Sequence, residues 1–444
     1  MEKNEKEITG FSKMGKREKI AWLAKNFLYA SPVEVVKEFA EYWHDNIEAQ
    51  KLLDGFSENT LTNFPVPFGI APNFKINDRV YAVPMVIEES SVVAAASNAA
   101  KFWLSRGGFK AEVISTRKVG QVHFTYRGDT QKLISFFNSI KEELKQGVKH
   151  ITTNMEERGG GVVDMELIDF TNLEPDYFQL RAHFETVDSM GANFINSCLE
   201  EFGSLLRSKI ALSSQFSETE KEIEIVMCIL SNYTPECLVH AEVSCKVSEL
   251  GSFDNDTVTA EEFAYKFERA VNIARIDPYR ATTHNKGIMN GIDAVVLATG
   301  NDFRAVEACA HTFACRDGVY RSLSECKVEN GVFRFWMNFP IAIGTVGGLT
   351  SLHPLAKRSL ELLGNPNAKQ LMEIIVCVGL AQNFGALRSL TTVGIQAGHM
   401  KMHLTNILAS MQATDEEVAK AKNYFEEKLV SVSAVREFLE KLRT

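Results

Sequence analysis

The sequence predicts a multidomain α+β protein, in which a large α/β domain is interrupted by a small β-α-β-β-α-β unit and followed by a helical tail. Three observations predict it. Residues 115–238 carry strand and helix periods in the order of a complete ferredoxin-like (βαββαβ) unit. The flanking stretches 1–114 and 239–394 both read as buried helices and strands, which fits one discontinuous domain. From 395 to 444 the character changes, with capping signals and, from 414 onward, seven acids against six bases.

The first helical pattern runs between Phe11 and Gly55, where Ser31-Pro32-Val33-Glu34 supplies an N-cap, a first-turn proline and a capping-box glutamate. From Pro65 the chain turns strand-like and apolar, and it ends on two acids, Glu88 and Glu89. Ser91 to Trp103 then reads as a helix rich in Ala and Ser, stopped by Gly107-Gly108; its small side chains allow close approach to the backbone.

In the inserted unit, a strand at Val119 to Tyr126 leads into a helix with Leu133, Phe136, Phe137, Ile140 and Leu144 on one face. Strands follow at Gly161 to Ile168 and Tyr177 to Thr186, then a helix from about Met190 to Arg207 and a strand at Glu222 to Leu230. Beyond it, an apolar strand at Phe339 to Ile343 meets Gly344-Thr345-Val346-Gly347-Gly348 and a helix at His353 to Leu363. In the tail, Thr414-Asp415-Glu416-Glu417 opens a helix through about Leu429, and Ser433 is placed to cap another ending near Leu442. Such a tail suits a docking helix pair or a lid.

Composition narrows the function classes. Among 444 residues, 45% are apolar and 24% charged, an ordinary globular balance that excludes disordered and fibrous classes. Lys plus Arg (48) against Asp plus Glu (57) gives −9, so no basic footprint for nucleic acid or anionic lipid exists. Eight cysteines without a Cys-x-x-Cys pair, and a charged Met1 to Glu7, predict a reducing, cytoplasmic setting. The longest apolar runs, Leu371 to Leu380 and Gly291 to Gly300, contain Glu373 and Asp293, and no membrane span is expected.

Phosphate-loop, nucleophile-elbow and Rossmann signatures are absent from the sequence. His399 and His403 have a zinc-compatible spacing, but Met400 stands where the glutamate of His-Glu-x-x-His would be, so no metal site is expected. Asp188-Ser189-Met190-Gly191-Ala192-Asn193 opens a helix and could cradle a pyrophosphate on free amides; a plain N-cap fits the spacing equally well. Gly344 to Gly348 is likewise either a ligand-facing turn or a tight connection. The densest block, Ile276 to Ala314, sets Arg280, Lys286, Asn290 and Asp302 in apolar sequence, where buried charges must be paired or shift their pKa.

These residues resemble a known family, the 3-hydroxy-3-methylglutaryl-CoA (HMG-CoA) reductases, specifically the soluble bacterial class II enzymes, from Phe11 into the tail. The motifs are Ser57-Glu58-Asn59, Pro84 to Glu89 running into Ser91-Val92-Val93-Ala94, Asp188 to Asn193, the 276–314 block, Gly344 to Gly348, and Gly394-Ile395-Gln396-Ala397-Gly398-His399-Met400. The resemblance implies four catalytic groups, Glu89, Lys286, Asp302 and His399. It implies that Ser91 and Arg280 hold the substrate carboxylate and that Asn290 joins the catalytic hydrogen-bond network. It implies that the inserted domain, through Asp188, Met190, Gly191 and Asn193, binds NADH or NADPH, two per turnover, without a metal. Partners implied are HMG-CoA, mevalonate and CoA, with homodimers that can assemble into hexamers.

Chemistry gives each implied group a role in reducing a thioester through a hemithioacetal and an aldehyde to an alcohol. Lys286 stabilises the oxyanion, Glu89 is the general acid, Asp302 tunes both, and His399 protonates the departing CoA thiolate. The tail carrying His399 would act as a lid. Three departures from the family pattern stand out: Glu58-Asn59-Thr60-Leu61-Thr62 for Glu-Asn-Val-Ile-Gly, Ser189 for alanine, and Ala397 for a larger, often basic residue. The first raises a rival reading, a catalytically silent acyl-CoA-binding homologue. A thioester hydrolase or lyase using Lys286 or Cys309 is the other rival, although Cys309 sits in an apolar helical run and reads as a packing thiol.

Overall fold

A computed structural model describes residues 6–253, 257–392, 404–405, 407–425, 428 and 430–443. The chain divides into two compact units, Met1–Pro67 and Phe68–Thr444.

The first unit is built on three helices, α1 (Lys16–Phe27), α2 (Pro32–Ala40) and α3 (Ile47–Asp54). The Ser31 hydroxyl accepts from the Glu34 amide and the Glu34 carboxylate reaches back to the Ser31 amide, the reciprocal cap expected from sequence. Ile20, Ala24 and Val35 form a small core against Val36, Phe39, Trp43 and Leu61. The altered loop is part of this packing: Thr62 Oγ1 donates to the Phe39 carbonyl at 2.7 Å, Thr60 Oγ1 to Ser57 at 2.8 Å, and Trp43 Nε1 to Leu61 at 2.9 Å.

The second unit opens with an antiparallel hairpin, β1 (Phe68–Ile76) and β2 (Arg79–Val86), turned by Asn77 and Asp78 at φ 47° and 68°. Helix α4 (Val92–Leu104) follows and packs on β1. β3 (Lys110–Thr116) then enters a four-stranded antiparallel sheet ordered β3-β8-β10-β9, completed by β8 (Cys237–Lys246), β9 (Ser324–Glu329) and β10 (Val332–Pro340). Between β3 and β8 lie β4 (Lys118–Thr125), α5 (Thr130–Gly147), α6 (Lys149–Glu156), β5 (Gly161–Asp169), β6 (Tyr177–Glu185), α7 (Ala192–Leu212) and β7 (Glu224–Leu230). Their sheet is ordered β5-β6-β4-β7, the split βαββαβ arrangement with one extra short helix, α6, which periodicity did not separate from α5. The register pairs Val122 with Leu180 and Phe124 with Phe178, so alternate residues of both strands face one core. The five apolar positions read on α5 are all buried in it.

The remaining helices surround a second core: α8 (Ala260–Ile276), α9 (Pro278–Ala298), α10 (Phe303–Ala314), α11 (Gly348–Leu352), α12 (Pro354–Leu362) and α13 (Ala368–Thr391). Helix α13 is long and apolar enough to cross a membrane, yet 78% of its most apolar window is buried against the rest of the protein, which makes it a core helix. It packs along α9 and α4, and Trp103, Phe267 and Phe384 meet there as an aromatic cluster. In the tail, helices Asp415–Tyr424 and Val432–Arg443 close over Leu408, Ala421 and Val435. The first runs to Tyr424 with Phe425 as its C-cap, and the rest of the stretch expected to reach Leu429 lies partly outside the described residues. The cap of the second is Ser431, whose hydroxyl accepts from the Ala434 amide, two residues earlier than Ser433.

Candidate active site

Glu89 lies just after β2, in the short link to α4, and Lys286 and Asn290 lie four residues apart on one face of α9. Lys286 Nζ donates to Glu89 Oε2 at 2.6 Å, and Asn290 Nδ2 approaches the same oxygen at 3.5 Å. Glu89, Ser91 and Asn290 line a cleft of about 740 Å³ whose walls include Ala94 and Ala95 of α4 and Gly385 of α13. Small residues on both walls let a ligand lie against helix backbone. Ser91 adopts φ +76° ahead of α4 and donates its hydroxyl to the Ser90 carbonyl.

Charges in the 276–314 block were expected to be buried. Lys286 is not: its side chain is 59% exposed and that of its partner Glu89 41%, so within one chain the pair is solvated and the cleft stands open. The buried polar residues lie behind them. His284 Nε2 and Ser324 Oγ are 2.6 Å apart, and Ser324 Oγ is 2.7 Å from Asn383 Oδ1. Burial, with Arg280 beside it, pushes His284 down to about 3, so the ring is neutral. Arg280 is half-buried, lowered by that burial, and among the described residues has no carboxylate partner.

At the other end of α9 a second group assembles. Asp302 caps α10, accepting from the Arg304 and Ala305 amides, and pairs with the Arg304 guanidinium at 3.1 Å. Burial raises its pKa, but these donors outweigh burial and hold the carboxyl below its usual range. Asn301 Oδ1 accepts from the Gly344 amide at 2.9 Å, and the Thr345 amide donates to the Asp188 carbonyl at 2.9 Å. Asp188 Oδ1 accepts from the Ala368 amide, so its carboxylate adds to the Asn367 cap at the start of α13.

Two glycines make this meeting possible. A Cβ at Gly344 would lie 2.5 Å from the Met190 amide nitrogen, and one at Gly191, where φ is +83°, would lie 2.5 Å from Thr186 Cγ2. Val187, a β-branched residue at φ +51°, stores about 1–3 kcal/mol of backbone strain in the same turn. Helix α7 begins at Ala192 with no side-chain cap and no acid in its first turn. Its 21 residues therefore direct unshielded amides outward, a fit for the pyrophosphate of a dinucleotide.

A model of the hydroxymethylglutaryl-coenzyme A reductase family matches residues 17–404. The chain belongs to that family. It is 35% identical over 393 residues to the 3-hydroxy-3-methylglutaryl-coenzyme A reductase of Archaeoglobus fulgidus, covering 88% of this chain and 86% of that one. The Streptococcus pneumoniae reductase superposes with a TM-score of 0.72 at 35% identity, covering 98% of this chain and 99% of that chain. A class II structure of the same organism's reductase, bound to NADPH in open conformations, gives 0.72 at 36% identity over 86% of this chain and 99% of that one. Family membership makes the protein an oxidoreductase.

Among the residues expected from the family motifs, the fold brings Glu89, Lys286, Asn290 and Ser91 to one cleft, with Arg280 on the same helix, and gathers Asp188, Met190, Gly191 and Asp302 elsewhere. From Lys286 to the end of α9 at Ala298 is roughly 18 Å of helix at ~1.5 Å per residue. Residues 299–301 fold back onto the last turn, where the Asn301 amide donates to Val296. Asp302 thus lies at the far end of α9, beyond the reach of Lys286 in the same chain. His399 lies outside the described residues. Among the described residues, no cluster of three or more His, Cys, Asp or Glu could hold a metal.

One half-buried acid pair was not among the residues expected from the sequence. Asp293 on α9 and Glu307 on α10 share a hydrogen bond, and burial, reinforced by Glu307, raises Asp293 to about 8. The signal was a lone acid within the apolar run 291–300. Cys309 is a packing thiol, buried and raised by that burial.

Proposed function

We propose that the protein catalyses the four-electron reduction of HMG-CoA to mevalonate and CoA, consuming two NAD(P)H, or runs the same reaction in reverse. The observation that carries this reading is the Lys286–Glu89 pair at 2.6 Å beside a long cleft of small-residue walls. A bound dinucleotide supplies a hydride in each half of the reaction, and the uncapped turn of α7 is the feature of this chain suited to hold its pyrophosphate.

Lys286 places an ammonium where a carbonyl oxygen becomes an oxyanion, a contribution of about 3 kcal/mol per well-placed donor. Glu89 holds that ammonium in position and is the acid that delivers a proton to the oxygen. Asn290 orients the Glu89 carboxyl. Ser91 and Arg280 are the ligands for the terminal carboxylate of the substrate; a half-buried guanidinium with no carboxylate partner among the described residues suits an incoming anion. His399 is the group for protonating the thiolate of departing CoA, on a tail that closes over the cleft.

Asp302 enters through a second copy of the chain. Its separation from Lys286 along α9 and its position beside the Asp188–Asn193 turn divide the machinery into two half-sites. A homodimer joins the Glu89–Lys286 half of one subunit to the Asp302 and dinucleotide half of the other. Closure of that interface would remove the water that now solvates Lys286, and would set the Asp302 carboxylate near Glu89 so that Glu89 keeps its proton. In this reading 115–238 is the dinucleotide domain, 1–114 with 239–394 binds HMG-CoA, and 395–444 is the flap of a cytoplasmic enzyme. The test is loss of nicotinamide absorbance with HMG-CoA, run with NADH and NADPH and with Lys286→Ala as control. Two dinucleotides oxidised per CoA released, with the control dead, is the expected result. HMG-CoA bound without oxidation, or CoA released with no dinucleotide present, overturns it.

A further inference from the structure

Lys118, the first residue of β4, is 4% exposed. Its ammonium donates to Thr186 Oγ1 and, at 2.8 Å, to the Ser189 carbonyl. Both acceptors belong to the turn ahead of α7. That turn is closed by the Ser189 amide on the Thr186 carbonyl at 3.0 Å and by Thr186 Oγ1 on the Ser189 carbonyl at 2.6 Å. The Ser189 hydroxyl in turn accepts from the Gly191 amide at 3.1 Å, which sets the residue before the helix.

Burying an ammonium is costly, and among the described residues no ion pair offsets that cost for Lys118. Burial lowers its pKa, and the groups that oppose this, Cys237, Glu185 and Asp188, do not outweigh it. Glu185 is engaged by the Thr116 hydroxyl and the Val187 amide, and Asp188 accepts from the Ala368 amide. An apolar side chain of equal length would fill the space without that cost. What the lysine adds is a hold on two oxygens of one turn, in which Val187 is kept at φ +51°.

We propose that Lys118 is a positioning residue for the dinucleotide, holding the Thr186–Gly191 turn in the shape that directs the first amides of α7 at the pyrophosphate. This rests on the cofactor half-site proposed above. Without the ammonium, Val187 relaxes toward negative φ, the Ser189 carbonyl swings away, and Gly191 no longer aims the helix start.

The test is NADPH binding to the full-length protein, followed by nicotinamide fluorescence, together with KM values for NADPH and HMG-CoA. Lys118→Met keeps the stem and removes the charge; it is expected to weaken NADPH about tenfold while KM for HMG-CoA holds within twofold. Thr186→Val, which removes one partner and keeps the shape, should move NADPH in the same direction, and it carries the test if Lys118→Met does not fold. Val187→Asn, tolerant of left-handed backbone, should restore part of the loss in the Lys118→Met background. NADPH affinity unchanged in Lys118→Met and Thr186→Val, or falling in step with HMG-CoA affinity, overturns the inference. Wild-type protein that binds NADPH but does not oxidise it with HMG-CoA overturns the reaction and leaves the binding comparison decisive for Lys118.

Discussion

Lys286 Nζ lies 2.6 Å from Glu89 Oε2, although 197 residues separate them in the chain. The hairpin of β1 and β2 delivers Glu89, and α9, packed on β2, delivers Lys286. Lys286 is fixed by its helix and Glu89 by the short link directly after β2, so the pair is formed without substrate.

Replacing either partner should separate binding from chemistry. Lys286→Ala removes the oxyanion donor and should lower kcat by about 10²–10³ with HMG-CoA still bound. Glu89→Gln, of the same shape but unable to deliver a proton, should lower kcat comparably. Steady-state kinetics with calorimetric HMG-CoA binding checks both; equal losses in binding and kcat would contradict the assignment.

If Asp302 serves the partner's Lys286, two dead variants should complement each other. Lys286→Ala and Asp302→Asn homodimers are both expected to be inactive. Mixed after mild dissociation, they should regain about a quarter of wild-type activity, since half of the random dimers carry one intact site. No recovery from a mixture shown to contain heterodimers would place Asp302 and Lys286 in one chain's site.

Stability should depend on pH through Asp293. Its folded pKa is raised to about 8 from an unfolded value near 3.8, first by burial and then by the Glu307 hydrogen bond. A raised pKa means the protonated form is favoured on folding, so its contribution is full below pH 3.8 and is lost as pH climbs through about 8. Asp293→Asn cannot ionise and should therefore gain on wild type as pH rises. Melting temperatures at pH 5 and pH 8.5 test this; a difference between variant and wild type that does not grow with pH counts against the shared proton.

Gly344→Ala should damage the dinucleotide half-site alone. The added Cβ meets the Met190 amide nitrogen at 2.5 Å, a backbone atom that can yield only if the turn moves. KM for NAD(P)H should rise about tenfold with KM for HMG-CoA unchanged, because one group of contacts is displaced and the other is at the far end of α9. Parallel rises in both constants would show a general loss of packing.

Helix and strand periods were legible where one face is buried: the five apolar residues of α5, the alternation of Val122 and Phe124, and the Ser31–Glu34 cap all act within a few residues of themselves. Local chemistry sets those features, so the sequence by itself determined them, along with the candidate residue types and the family motifs. Other features needed the fold. Asp188 reads as the opening of a pyrophosphate turn or as a plain N-cap of its own helix, yet its carboxylate accepts from the Ala368 amide at the start of α13. Lys286 reads as buried, yet it is open to solvent in the single chain. Lys118 carries no local signal, because its partners, Thr186 and Ser189, lie 68 and 71 residues away. Only the tertiary structure decided that Lys286 meets Glu89 while Asp302 stands at the other end of α9. Periodicity fixes which face of an element is buried, but a straight helix keeps its two ends apart, and long-range packing alone chooses what meets each end.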